Sequence, residues 1–382
     1  MANTFTAIAP VLYGAARTVP RELVGLLGAV KRDFNDQGAA KGDTVKIGVS
    51  PIATIADFTA AQTFVAGTDR TPTTSSLILN QEKVSSWNMT AEEERSLENS
   101  GTAQDSLAQT VQQHIRAHVN AIETYAWGVA RVAASRSTGT AGTDPFATDQ
   151  KPLADALKIL LDNGAGNMDL AAVIGTTAGT NLRKVSNLFK ANEAGSPDLL
   201  RNGVLGQLYN FDIRESAAVT TAAKGTMTGA LINSAAMAVG TTSLVFDGGT
   251  QGATGFVAGD TITIAGDAVN KYIVKTGIVA ASGTVVIQEP GLLIAIADNA
   301  AITVGNIATQ NLCLRRDAVA VVARPGLQPV SADIDQMVLS DPASGLSFLL
   351  YRKVGQGMAS WYMRTVFDAF APNPYAIAQL LG

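Results

Sequence analysis

Between Gly101 and Ser135 apolar residues return every three or four positions, at Leu107, Val111, Ile115, Val119, Ile122, Ala126, Val129 and Ala133. A stripe of that period over about seven turns dictates one long amphipathic helix, roughly 45 to 50 Å at 1.5 Å per residue. It is a spine that the rest of the fold has to accommodate. The only two histidines of the chain, His114 and His118, lie on the flank of this stripe, four residues apart. A zinc-protease helix would read H-E-x-x-H with the glutamate as base, whereas here Ile115 and Arg116 follow the first histidine. There is no third histidine, and an arginine between two ligands repels a cation. The expectation is two half-exposed helix histidines and no metal.

On either side of the spine the texture differs. Residues 1–44 mix the apolar "LVGLLGAV" with basic and glycine-containing flanks and read as an N-terminal arm with a helical turn or two. "GDTVKIGVSP" and "SSLILNQEKVSSWNM" then alternate apolar and polar residues, at Val45, Ile47 and Val49 and again at Leu77 and Leu79. This is strand periodicity, and the two runs predict a long hairpin within residues 45–100. A two-stranded ribbon with about 25 residues at its tip is not stable alone in water, so it must lie on something.

After the spine and a Gly/Thr-rich linker (101–150), residues 151–220 alternate helix and strand. "PLADALKILLDNG" has Pro152 in its first turn and Gly164 near its end, "MDLAAVIG" is a short buried strand, and "TTAGTNLRKVSNLF" is a helix expected to be capped by Thr176 or Thr177. "YNFDIRES" is the next strand. From 221 to 309 the pattern becomes strand after strand: "TSLVFDG", "DTITIAG", "KYIVKTGIV", "GTVVIQEP" and "AITVG". Five short strands punctuated by turns predict a small inserted β-barrel or sandwich with Val245, Ile262, Ile264, Ile273, Val286 and Ile287 inside. "NLCLRRDAVAVVARP" resumes the mixed pattern over 310–335. Residues 336–382 end in two long antiparallel strands joined near "VGQG", with Trp361, Phe367 and Phe370 available for packing.

Composition narrows the function classes. With 47% hydrophobic residues the chain can bury a large core, and a net charge of −4 excludes a histone-like condenser of nucleic acid. No apolar run reaches the ~18 residues that span a bilayer, and the first residues lack a secretion-signal pattern, so a soluble protein made in a cytoplasm is expected. Only 16% of residues are charged, which suggests a surface covered by partners. Motifs of chemistry are wanting. "GAGNMD" is not G-x-G-x-x-G, and "GDAVNKY" resembles a P-loop only superficially. "GTTAGT" reads as a cap and turn before an anion cradle, and "AEEER" as a solvated helix start. Cys313 reads as a buried thiol, and Arg315, Arg316 and Asp317 as an ion-pair cluster. No catalytic residue, cofactor site or metal site is expected, and no enzyme.

The order of parts then carries the reading: arm, hairpin, spine, α+β domain interrupted by β strands, C-terminal hairpin. In this the chain resembles the major capsid (coat) proteins of tailed double-stranded DNA phages, of the Hong Kong 97 type fold. The resemblance rests on "GDTVKIGVSPIA" to "SSLILNQEKVSSWNM" as the E-loop, "AQDSLAQTVQQHIRAHVNAIETYAWGVARVAAS" as the spine helix, "GVLGQLYNFDIRESAAV" entering an axial A-domain strand, and "NLCLRRDAVAVVARP" leading back out. The stretch "GFVAGDTITIAGDAVNKYIV" is similar to the extra β-domain of certain short-tailed phage coat proteins. The resemblance implies an α+β capsid fold: N-arm 1–44, E-loop and lead into the P-domain 45–100, spine 101–150, A-domain 151–220 and 310–335, inserted β-domain 221–309, and C-terminal P-domain strands 336–382. It also implies self-assembly into hexamers and pentamers of an icosahedral shell in the host bacterial cytoplasm, and a place in the virion. The implied partners are a scaffolding protein, a portal protein at one vertex and a decoration protein, with weak, non-specific contact to packaged DNA and none to membrane. An encapsulin-like compartment shell shares the fold, although encapsulins usually lack a β insertion of this size. A β-rich tail or adhesin protein is a further reading, opposed by the long helix.

Overall fold

The computed structural model describes residues 9–17, 23–49, 73–100, 103–185, 188, 205–327, 334–342, 344–355 and 357–382. The first elements are α1 (Ala9–Arg17), α2 (Leu26–Ala29), β1 (Lys31–Phe34), β2 (Thr44–Val49), β3 (Thr73–Ile78) and β4 (Gln81–Thr90). Helices α3 (Ala91–Ser100) and α4 (Ala103–Ala133) follow, then β5 (Arg136–Gly139), α5 (Lys151–Asp162), β6 (Leu170–Ile174), α6 (Thr176–Lys184), β7 (Gln207–Leu208) and β8 (Phe211–Glu215). The all-β stretch contains β9 (Leu231–Ile232), β10 (Ala236–Met237), β11 (Ser243–Asp247), β12 (Thr261–Ile264), β13 (Asp267–Thr276), β14 (Gly283–Ile287), β15 (Ile296–Ala297) and β16 (Ile302–Val304). After it come β17 (Gln310–Arg315), β18 (Ala320–Pro325), β19 (Ile334–Ser340), β20 (Ser347–Gly355), β21 (Met358–Phe370) and β22 (Ile377–Leu381).

The spine forms as its periodicity requires. Leu107, Val111, Ile115, Val119, Ile122 and Ala126 are all buried. Beyond Ala126 the buried line passes through Trp127, Ala130 and Ala134, while Val129 and Ala133 are only half-buried. The stripe rotates because its support changes. The first half of α4 lies on the sheet containing β21, and its end meets β13, β17 and β22 of a second sheet.

The first sheet runs β1-β18-β21-β20-β19, with β4 on the other edge of β21. Strand β21 is its axis, paired along 358–367 to β4 and on the opposite edge to β20 and then β18. Its alternation sends Ala359, Trp361, Met363, Thr365 and Phe367 inward, all buried. The strands β20 and β21 meet at Gly355 and Met358, as the sequence predicts.

The second sheet runs β7-β8-β6-β17-β22-β5-β13-β14-β11-β9, with β12 and β16 branching from β13. Strands β6 and β8 are parallel, joined across α6, and β6 is buried at every residue, as a strand covered on both faces must be. Strands β9 to β16 enclose a separate buried cluster, including Leu244, Phe246, Phe256, Ile262, Ile264, Tyr272, Val274, Val285 and Ile287.

Several expectations are corrected. The run "SSLILNQEKVSSWNM" is not one hairpin arm: β3 pairs with β2, and β4 leaves the hairpin to pair with β21 of its own chain. Residues 1–44, expected as an arm, are in part built into the body: Leu12, Ala15, Ala16, Leu26, Leu27 and Val30 are buried in the main core and β1 pairs in parallel with β18. Strand β18, expected in the A-domain, joins the first sheet, and β22, expected among the P-domain strands, lies between β17 and β5 in the second. Within the β stretch Ile262, Ile264 and Ile287 are inside, but Ile273 faces the main core, Val286 is half-buried and Val245 is 40% exposed. The alternation of β11 runs through Leu244 and Phe246 instead.

Candidate functional site

Among the described residues no three His, Cys, Asp or Glu side chains are gathered at one place, and the surfaces and joints carry the functional content. The first is the ribbon β2–β3, six residue pairs from Thr44↔Ile78 to Val49↔Thr73, which among the described residues forms a two-stranded sheet joined to no other. Among the described residues its foot is anchored. Leu77 and Leu79, with Val45 beside them, pack on Ala39, Val322 and Val366, and Asn80 N donates to Asp368 Oδ2 at 3.1 Å. The opposite faces of the ribbon, at Thr44, Lys46, Ser76 and Ile78, are exposed. The apolar residues expected at its tip, Ile52, Ile55, Phe58 and Phe64, lie outside the described residues.

The second is the layer between spine and first sheet. His114 stacks on Trp87 at 4.4 Å, Trp87 on Trp361 at 5.7 Å, and the Arg352 guanidinium lies 5.4 Å over the Trp361 ring and 3.3 Å from Glu94. His118 is 3% exposed rather than half-exposed, with Nε2 3.0 Å from Ser85 Oγ and its ring beside Phe348. Burial, and secondarily the neighbouring His114, pushes His118 down to about 4; burial alone lowers His114. Both are neutral packing groups at pH 7. Among the described residues no three His, Cys, Asp or Glu side chains come together as a metal would need.

The third is a buried carboxylate that sequence reasoning missed. Glu123 of α4, 2% exposed, accepts hydrogen bonds from the backbone N–H of Gly25, Leu26 and Leu27 and from Ser216 Oγ at 2.5 Å. It satisfies the free donors at the start of α2 from a helix nearly a hundred residues away, and so ties the N-terminal segment, the spine and the end of β8 together. Burial pushes its carboxyl up, opposed by these donors. The signal was a charge at position 123 beside Ile122, on the buried side of the stripe.

The remaining motif residues are dispersed. Cys313 is fully buried in β17, its thiol pushed up to about 12 by burial. Arg315 forms a two-pronged pair with Asp317 at 2.5 and 2.6 Å, while Arg316 is exposed. Helix α6 starts after Gly175 with no side-chain cap, so neither Thr176 nor Thr177 caps it; both are already helical, and Asn311 Oδ1 accepts from Gly175 N instead. The "AEEER" start is a reciprocal cap: Thr90 N donates to Glu93 Oε2 at 2.9 Å, and Glu93 N to Thr90 Oγ1 at 3.2 Å. Those bonds from Thr90 lower the Glu93 carboxyl. No described helix is long and apolar enough to cross a membrane.

No protein-family model and no curated protein matches the sequence. Solved structures do resemble it in fold. The Mycobacterium phage Che8 structure matches over 100% of this chain and 92% of its own at 15% identity and a TM-score of 0.43. The mature capsid of bacteriophage PhiM1 matches over 93% and 85% at 13% identity and a TM-score of 0.46. The virus-like particle from Pyrococcus furiosus matches over 98% of both chains at 8% identity and a TM-score of 0.46.

Proposed function

We propose that this chain is a major capsid protein, a structural subunit that closes into an icosahedral shell around the double-stranded DNA of a tailed phage. The observation that carries it is the ribbon β2–β3, a two-stranded sheet that among the described residues is fixed to its own chain at its foot. Two strands alone are marginal in water. A neighbouring subunit laid beneath the ribbon supplies the missing surface, and symmetry repeats that contact around every ring. The inward-turned chemistry agrees with a structural role: the cysteine, both histidines and the buried glutamate are packed or hydrogen-bonded within the fold rather than presented in a cleft.

In this reading the partners are further copies in hexamers and pentamers, a scaffolding protein during assembly, a portal protein at one vertex and a decoration protein outside. Assembly takes place in the host cytoplasm and the product is the virion. Contact with DNA is weak, as the net charge of −4 requires. Electron microscopy of negatively stained protein, expressed with and without its neighbouring genes, tests the proposal. Closed shells are expected at least when the neighbouring genes are present, and a monomer under both conditions refutes it. Shells that enclose protein cargo instead of DNA in the producing cell would assign an encapsulin-like compartment.

A further inference from the structure

The β stretch from β9 to β16 is tethered by a narrow stalk. Thr221 and Thr309 form an isolated bridge, and Ala222 N donates to Ala308 O at 3.4 Å. Held by this alone, a module with its own buried cluster would swing. It is seated instead on the last turns of α4. Trp127 Nε1 donates to the Gln310 carbonyl at 3.0 Å, and Arg131 lies over the Trp127 ring with Nη1 3.3 Å from Gln310 Oε1. Gln310 Nε2 donates in turn to the Gly259 carbonyl at 3.2 Å, and Gln288 Nε2 to the Val132 carbonyl at 2.7 Å. At Gly259, with φ +89°, a Cβ would lie 2.5 Å from Arg131 Nη1, so the module backbone comes as near the helix as a glycine permits.

We propose that the C-terminal end of α4 sets the orientation of the β module, with Arg131, Gln288 and Gln310 as positioning residues and the stalk as a tether only. Each of the three side chains belongs to a different body: Arg131 to the spine, Gln288 to the module, Gln310 to β17 just past the stalk. Gln310 accepts from Arg131 of the spine and donates to the Gly259 carbonyl of the module, which makes it the bridge. Gln288 and Gln310 are 4% and 6% exposed, so water cannot replace the bonds they lose. Beside the seat β13 pairs with β5, at Lys271↔Ser137 and Tyr272↔Arg136, and Arg136 Nη1 donates to Asn270 Oδ1 at 3.2 Å. That short pairing holds only while the module stays in place, so a turn of the last helical residues carries the module with it.

Hydrogen exchange on the whole protein tests it, comparing wild type with Arg131→Ala, Gln288→Ala and the double variant. The expected result is roughly tenfold or greater acceleration in the double variant at the amides of 136–137 and 271–272, which face each other across the joint. The single variants should show the same pattern at lower amplitude. Amides of β11 and β14, deep in the module, should keep their wild-type rates, which a loss of folding in the module would not allow. Unchanged rates at the joint overturn the proposal, and so does equal acceleration inside the module.

Discussion

Acidification from pH 7 to pH 5 should destabilise the unassembled subunit through His118, by an amount its surroundings fix. The imidazole is held neutral at about 4 in the fold and has its ordinary value of 6.5 in the unfolded chain. Above 6.5 neither state is charged, and the group has no effect on stability. As the pH falls below 6.5 the unfolded chain takes up the proton first, so stability is lost progressively until the folded state is protonated too, near pH 4. The full loss is about 3 kcal/mol, at roughly 1.4 kcal/mol per pH unit, and about 2 kcal/mol of it is reached by pH 5. His118→Gln removes the titration while keeping a side chain that can meet Ser85 Oγ. Urea unfolding of both proteins at pH 7 and pH 5 is the assay. The carboxylates contribute equally to each, so the wild type should lose about 2 kcal/mol more than the variant over that interval. Equal losses in the two proteins would refute the reasoning, because they would mean that His118 is already solvated or charged in the fold.

Zinc at pH 7 should leave the melting temperature and particle yield unchanged, as should EDTA; a zinc-dependent shift would reinstate a metal role for His114 and His118. Glu123→Ala leaves three backbone donors and Ser216 without their acceptor, and should cost about 3 kcal/mol in denaturant unfolding, with Glu123→Gln less affected. Deletion of residues 56–72 should leave a folded subunit by circular dichroism that forms no shells by electron microscopy; normal particles would remove the ribbon from the assembly contact. A fragment of residues 221–309 should give a β-type circular dichroism spectrum and a cooperative melt, since its apolar cluster is its own.

The long helix was legible because its period is local, and so were β11 to β14, β16, β20 and β21, whose alternation and turns are local too. What the sequence did not give away was pairing between distant segments. Strand β4 reads as the continuation of β3, and nothing in "QEKVSSWNMT" shows that its partner lies at 358–367. The same holds for β18, expected with the A-domain but paired with β1 and β21, and for β22, which the sequence reading did not single out as a strand and which lies between β17 and β5. Val245 was misplaced although its own strand could have corrected it: Leu244 and Phe246 flank it on one face, and a face with two large residues outweighs one valine. Polar residues at joints were missed for a different reason. Arg131, Gln288 and Gln310 look like ordinary surface residues until the bodies they connect are known to touch.

The first sheet has a consequence for the order in which the protein can take shape as it is made. Its axis, β21, lies roughly 220 residues beyond the end of the spine it covers. At synthesis rates of about 5–20 residues per second, α4 emerges from the ribosome on the order of 10 to 45 s before its main cover exists. The second sheet waits as well, because β22 fills the gap between β5 and β17. The β module needs only strands within residues 231–304 to enclose its cluster, so it can settle while both large sheets are still open. A ribosome-bound chain can therefore hold a finished module beside an uncovered helix, and both large sheets close only after β21 and β22 have been made.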